Sequence, residues 1–368
     1  MAGDVRYGII GTGMMGVEHL RNLQALPGAR VTAVADPHAG SLEAVVLAAG
    51  GPDQASFERL DDHRGLLDSG LCDAVVVATP NMTHCDVMLD VLARPVHVLV
   101  EKPLATTVAD CRRIMAAAEA APVSLDGRRR VVWVGLEYRY MPPVRRLAEL
   151  VRAGAVGTVR MVAIREHRFP FLAKVGDWNR FTRNTGGTLV EKCCHFFDLM
   201  NHLTQRRPVQ VFASGAQDVN HLDERYAGET PDVLDNAFVI VDYEGGMRAS
   251  LDLCMFAEAS RHQEEISVVG DLGKIEARLP GGQVHLGVRK RGRPGSPPRS
   301  SATNGSPTRA STTGRATLNT STSSKRCAPI SPRRWAWRTA AVGGHGGGRP
   351  PFDRRGSARR GAELLDEA

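Results

Sequence analysis

The segment Gly186-Gly187-Thr188-Leu189-Val190-Glu191-Lys192-Cys193-Cys194-His195-Phe196-Phe197-Asp198 reads as two glycines opening a helix over 188–201. Glu191 and His195 stand four residues apart, so on a helix they share one face. A neutral imidazole, with a pKa of about 6.5 when unperturbed, can take the proton from a hydroxyl as its carbon loses hydride. Glu191 can orient a substrate or raise the basicity of the imidazole. Cys193, Cys194, Phe196 and Phe197 pack the other faces, and Asp198 caps or pairs locally. The plainer alternative is that His195 is a hydrogen-bonded core histidine.

A third group with the same potential is Lys102, in Val100-Glu101-Lys102-Pro103. It follows a short apolar run at Val96–Val100, and the carboxyl end of a parallel strand faces the crevice where open α/β sheets bind ligands. An ammonium placed there donates to a substrate hydroxyl or a developing alkoxide, and Pro103 stiffens the turn that aims it. The alternative is a solvated lysine paired with Glu101.

Such groups need a frame and a redox partner, and the N-terminus supplies both. A strand at Val5–Ile10 runs into Gly11-Thr12-Gly13-Met14-Met15-Gly16, the Gly-x-Gly-x-x-Gly pattern, with a helical pattern following through Leu26. Gly11 permits the tight turn, Gly13 lets backbone approach a pyrophosphate, and Gly16 lets the helix pack closely on the strand. The helix N-terminus then offers free N–H groups to the phosphates. A second strand, Val31–Ala35, ends in Asp36, 20 residues after Gly16. A carboxylate there accepts the ribose hydroxyls of NAD and repels the 2′-phosphate of NADP, so NAD is the expected cofactor. Asp36 also suits a helix N-cap before Pro37.

The remaining organisation fits two domains in 368 residues. Apolar runs alternating with helical patterns over residues 1–125 predict a parallel sheet covered on both faces. Its further strands fall at Ala74–Ala78, Val96–Val100 and Val131–Gly135, with helices at about 82–93 and 108–120. A crossover helix at about 143–153 leads into residues 126–288 as the second, α/β domain. Strands at Val159–Arg165, Val209–Ala213, Asn236–Asp242, Arg248–Met255 and Glu265–Val269 predict an open, largely antiparallel sheet there.

Residues 289–368 carry 17 Lys and Arg against 4 Asp and Glu, a balance of +13, whereas the rest has 30 against 36, a balance of −6. The net charge of +7 therefore belongs to a Ser-, Arg-, Pro- and Gly-rich tail that is expected to be disordered. Ala, Gly, Arg and Pro are also what a shifted frame yields in a GC-rich gene, so a reading-frame artefact is the competing account. Basic charge without an aromatic platform does not point to nucleic acid. No apolar run of membrane-spanning length and no signal-peptide pattern occur. Seven cysteines, without Cys-x-x-Cys and odd in number, predict reduced thiols, no structural metal and a cytoplasmic location.

The glycine turn, Ala78-Thr79-Pro80-Asn81, Glu101-Lys102-Pro103 and the Gly186-Gly187…His195 segment occur in an order and spacing that resemble the Gfo/Idh/MocA oxidoreductases, over about residues 4–280. The resemblance implies a Rossmann domain followed by an α/β domain whose open sheet often forms the interface of a dimer or tetramer. It implies NAD(P)-dependent oxidation of a secondary alcohol on a sugar, polyol or cyclitol, or the reverse reduction. By position, Lys102 resembles the family's substrate-binding lysine and His195 its general acid/base. Glu191 stands where an aspartate is usual, and its extra methylene bears on substrate preference. Thr79, Pro80 and Asn81, with Glu101, resemble the segments beneath the cofactor. Tyr138, Arg139 and Tyr140 follow the fifth strand, and His167, Trp178 and Arg180 precede the catalytic segment. Of these, Tyr140, His167, Trp178 and Arg180 are the expected substrate contacts, each equally open to a packing role. A non-catalytic NAD(P)-binding regulator, or an inactive product with a damaged C-terminus, would share the nucleotide motif.

Overall fold

The structure, a computed structural model, describes residues 4–121 and 130–289, and the backbone of 300–302. The expectations for the tail otherwise lie outside the described residues. These residues form two compact units, the first made of 4–137 together with 172–198, the second of 138–171, 199–289 and 300–302.

In the first unit the chain alternates β1 (Val5–Ile10), α1 (Met14–Gln24), β2 (Ala29–Ala35), α2 (Ala39–Ala48), β3 (Glu58–Leu60), α3 (His63–Asp68), β4 (Ala74–Val77), α4 (His84–Leu92), β5 (His97–Val100), α5 (Val108–Ala120) and β6 (Val132–Val134). The strands form one parallel sheet in the order β3-β2-β1-β4-β5-β6. This is the dinucleotide-binding order, and β1 and β4 flank its switch point. Alternation along each strand feeds two cores. Ile9, Val34 and Val76 pack with Leu20 and Val45 on one face. Ile10, Ala35, Val75 and Val77 pack with Met88, Ile114 and Val100 on the other. Burial on both faces explains why these strands are continuous apolar runs.

The second unit opens with α6 (Pro142–Arg152), which proline starts at the position where a missing N–H costs nothing. Then come β7 (Val159–His167), and, after the excursion described below, β8 (Pro208–Ala216), β9 (Asn236–Tyr243), β10 (Met247–Cys254), β11 (Glu264–Gly270), β12 (Gly273–Leu279), β13 (Gln283–Val288) and β14 (Ser300–Ala302). The sheet order is β14-β13-β12-β11-β7-β10-β9-β8. Every ladder is antiparallel except β7 with β10, so the sheet is mixed with one parallel pair at its centre. On β9, Ala237, Val239 and Val241 are buried, while Phe238 and Ile240 are 67% and 48% exposed. Phe212 of β8 lies directly across from Ile240 and is also exposed, giving the outer face an apolar stripe.

The strands β3, β12, β13 and β14 and the helices α2, α3 and α7 (Thr182–Thr185) have no counterpart in the reading of the sequence. The helix expected over 188–201 is interrupted. It forms as α8 (Thr188–Glu191) and α9 (Cys194–Thr204), after the short α7. At the break the Cys193 amide donates to the carbonyl of Thr188, five residues back, at 3.3 Å. That one-residue slip of the ladder is a π-type turn, a feature common at functional sites.

Candidate active site

The cofactor end is built by the β1–α1 turn. Gly11 has φ of +89°, and a Cβ there would sit 2.7 Å from the backbone of Ala78 and Thr79. A Cβ on Gly16 would collide with the carbonyl oxygen of Gly11, so helix and strand meet backbone to backbone. Gly13 caps α1 without a side-chain hydrogen bond, and a Cβ on it would meet nothing within 4 Å. The first-turn N–H groups thus face open space of the kind a pyrophosphate fills. Met14 and Met15, at that turn, are exposed.

Asp36 sits just past β2, and its Oδ2 accepts from the Thr12 amide at 2.7 Å and from the Thr12 hydroxyl at 3.2 Å. Its Oδ1 accepts from the His38 amide at 2.8 Å. The N-cap of α2 is His38, whose ring accepts from the Ser41 amide, so Asp36 is a turn residue tied to the glycine loop instead of the cap. Beyond β4, Thr79 and Pro80 lead to Asn81, whose amide nitrogen is buried without a hydrogen-bond partner. A buried donor of this sort calls for an acceptor from a ligand. The open cradle at Gly13, the carboxylate at Asp36 and the unsatisfied amide of Asn81 together fit a dinucleotide.

The Lys102 and His195 end of the candidate site lies at the carboxyl edge of the same sheet. The Lys102 ammonium donates to the backbone carbonyl of Glu191 at 3.1 Å, which brings the β5 turn onto α8 within the first unit. Burial disfavours the charge on Lys102, but Cys194, Glu191, Glu137 and Glu101 around it outweigh that and raise its pKa. The Cys194 thiol is pushed up to about 12 by burial and is neutral at physiological pH, so the carboxylates carry the effect. Glu101 is 8% exposed. Burial alone would raise its pKa, yet the bond and charge of His19 together with the charge and amide of Lys102 outweigh that, and the carboxyl lies below the usual range. His19 of α1 bonds Glu101 Oε1 at 2.7 Å, and the Lys102 amide donates to Oε2 at 3.2 Å. The acid expected to compete for the Lys102 ammonium instead holds its backbone.

His195 is the second residue of α9 and is 2% exposed. Its Nδ1 lies 3.6 Å from Oε2 of Glu137, the first residue of a 3₁₀ turn after β6. Glu137 was invisible to motif reading, as were His19 and His84. The buried His84 ring bridges the carbonyls of Pro103 at 2.7 Å and Thr79 at 2.9 Å, joining the two loops of the site.

Among the expected substrate contacts, Trp178 and Arg180 lie in the first unit, on the segment leading to α7. Asn179 between them is buried and donates to the Leu172 carbonyl at 2.9 Å. Tyr140 and His167 belong to the second unit, with His167 bonded to Asp252 at 3.0 Å. The neighbouring Tyr138 is committed to Glu264 at 2.6 Å.

Residues 5–126 match the profile of an oxidoreductase family with an NAD-binding Rossmann fold, and residues 148–320 match that family's C-terminal alpha/beta domain. The chain belongs to the Gfo/Idh/MocA oxidoreductases. An inositol 2-dehydrogenase of Saccharopolyspora erythraea, named number 2, is 30% identical over 80% of this chain and 78% of its own. Its number 3 is 39% identical over 75% of this chain and 73% of its own. Among solved structures, an oxidoreductase domain protein from Kribbella flavida has a TM-score of 0.70 at 24% identity, covering 82% of this chain and 80% of its own. Levoglucosan dehydrogenase in complex with NADH has a TM-score of 0.68 at 20% identity, with the same coverage. This Gfo/Idh/MocA member is therefore an oxidoreductase with an NAD-binding Rossmann domain. Among the described residues there is no cluster of metal ligands, and no helix is long and apolar enough to cross a membrane. None of the six described cysteines is joined in a disulfide.

Proposed function

We propose that the protein oxidises a secondary alcohol of a cyclitol, polyol or sugar, inositol being the first candidate from the names of its relatives. The observation that carries this reading is the contact of the Lys102 ammonium with the Glu191 backbone, next to the buried His195, at the edge of a dinucleotide-binding sheet. NAD+ supplies the hydride acceptor. Lys102 donates to the substrate oxygen and stabilises the charge that develops there. His195 removes the hydroxyl proton, and Glu191 orients the substrate or the imidazole. Asp36 holds the ribose hydroxyls and selects NAD over NADP. The apolar outer stripe of the second sheet at Phe212, Phe238 and Ile240 supports a homo-oligomer built through that face.

The test is NADH formation by the full chain across a panel of cyclitols and aldoses that includes myo-inositol. Turnover that His195→Ala cuts by 10²-fold or more, with NADH binding unchanged, is the expected result. Turnover indifferent to His195→Ala removes the histidine from the mechanism.

A further inference from the structure

The proposed reaction needs His195 in one tautomer, because only the ring nitrogen without hydrogen can receive the hydroxyl proton. Which nitrogen that is depends on what the other one faces. His195 Nδ1 is 3.6 Å from Glu137 Oε2. Catalytic hydrogen bonds of this length tighten once substrate closes the site. Of the other acids nearby, Glu101 holds His19 and the Lys102 amide. Among the described residues, His195 is the one side chain within ion-pair distance of Glu137.

We propose that Glu137 is the positioning residue of His195, its carboxylate accepting from Nδ1–H so that Nε2 presents its lone pair to the substrate hydroxyl. The inference rests on the dehydrogenase reading of the site. In the oxidation, Nε2 takes the hydroxyl proton, the O–H electron pair becomes the second C–O bond, and the hydride leaves the carbon for NAD+. The imidazolium so formed stands beside a carboxylate that balances its charge, and it later gives its proton to water. The charged and titratable groups around this pair are Glu101 and Lys102 from the β5 turn, His19 of α1 behind Glu101, Lys174 ahead of α7, Glu191 and Lys192 at α8, and Cys194 and Asp198 of α9. Burial raises the Glu137 carboxyl, with Lys102 pulling the other way. Half of the Glu137 side chain is exposed, so its hold on the imidazolium is screened and modest.

The experiment is a long-range ¹H–¹⁵N titration of the histidines in the full chain, with His195 identified by the signal lost in His195→Ala. Neutral His195 is expected in the Nδ1–H form, and Glu137→Gln is expected to lower its midpoint by about half to one pH unit. Glu137→Asp is expected to recover most of that shift. With myo-inositol and NAD+, the acid limb of kcat/KM should move down equally and kcat at pH 7 should fall about 3- to 10-fold, NADH affinity being unchanged. An Nε2–H tautomer, or a midpoint the same in Glu137→Gln, overturns the assignment. Absence of turnover by the wild type on every substrate of the panel counts against the functional reading alone, since the titration still decides Glu137.

Discussion

Asp36 is where cofactor choice is most open to a quantitative test. Its carboxylate accepts from the Thr12 amide, the Thr12 hydroxyl and the His38 amide, so it is aimed and held before any ribose arrives. A hydrogen bond to a charged group contributes about 1.5–3 kcal/mol, against about 0.5–1.5 for a neutral one. With one or two ribose hydroxyls donating to it, Asp36→Ala should weaken NADH by about 2–3 kcal/mol, roughly 30- to 150-fold in Kd. NADPH should lose less or gain, because the repulsion of its 2′-phosphate disappears. Asp36→Ala also strands the amide of Thr12, a residue 1% exposed, and part of the loss would reflect loop disorder. Asp36→Asn separates the two effects, since it keeps an acceptor for Thr12 and removes only the charge. It should therefore change the NADPH:NADH ratio while leaving thermal stability within a few degrees of wild type. The assay is fluorescence titration with both nucleotides on both variants. Wild-type ratios in both variants would refute the ribose assignment.

Two further predictions concern the frame. Phe238→Lys should convert a dimer or tetramer to monomer in light scattering behind size exclusion. The residue is 67% exposed, so the fold itself should be affected by no more than about 0.5 kcal/mol. An unchanged mass would mean that this face is not the contact between copies. Arg6 of β1 bonds Asp73 at 2.7 Å, and this bond, above all, holds the Asp73 carboxyl below its ordinary range. A depressed carboxylate pKa stabilises the fold above the unfolded value, near 3.9, and the contribution fades as pH falls through the lower folded value. Both side chains are about one-third exposed, so Arg6→Met should cost about 0.5–1 kcal/mol at pH 7 in urea unfolding. The gap to wild type should close below about pH 4. A gap that persists to pH 3 would show that the arginine acts by packing.

The parts of this fold that could be read from the chain are those whose signal is local. The glycine turn carries its reasons within six residues, and the parallel strands announce themselves as apolar runs because both faces are buried. Gly273-Lys274-Ile275-Glu276-Ala277-Arg278-Leu279 alternates as a half-buried strand should, a local signal for β12 that the reading of the sequence passed over. The three residues of β3 are too few to show any period. Lys102 and His195 were singled out because motifs mark them. His19 was not, because it lies 82 residues from Glu101 and nothing in the order of residues says that the two touch. The break between α8 and α9 was equally hidden. Thr188 to Thr204 has an unbroken helical composition, and only the slipped bond at Cys193 reveals the turn.

The first unit is not a contiguous length of chain, since it recruits Leu172–Asp198 after the chain has already begun the second. A ribosome delivers residues in order, and domains generally fold as they emerge. The parallel sheet has all its strands once residue 134 is out, yet the carbonyl that receives the Lys102 ammonium belongs to Glu191 and comes 89 residues after the lysine. A nascent chain halted near residue 137 would be able to build the sheet with its proposed nucleotide cradle while its proposed chemical end is missing. For this protein, the proposed cofactor surface and the proposed reactive one would then be completed at separate points in biosynthesis, and a gene fragment ending at the first unit boundary would encode only the former.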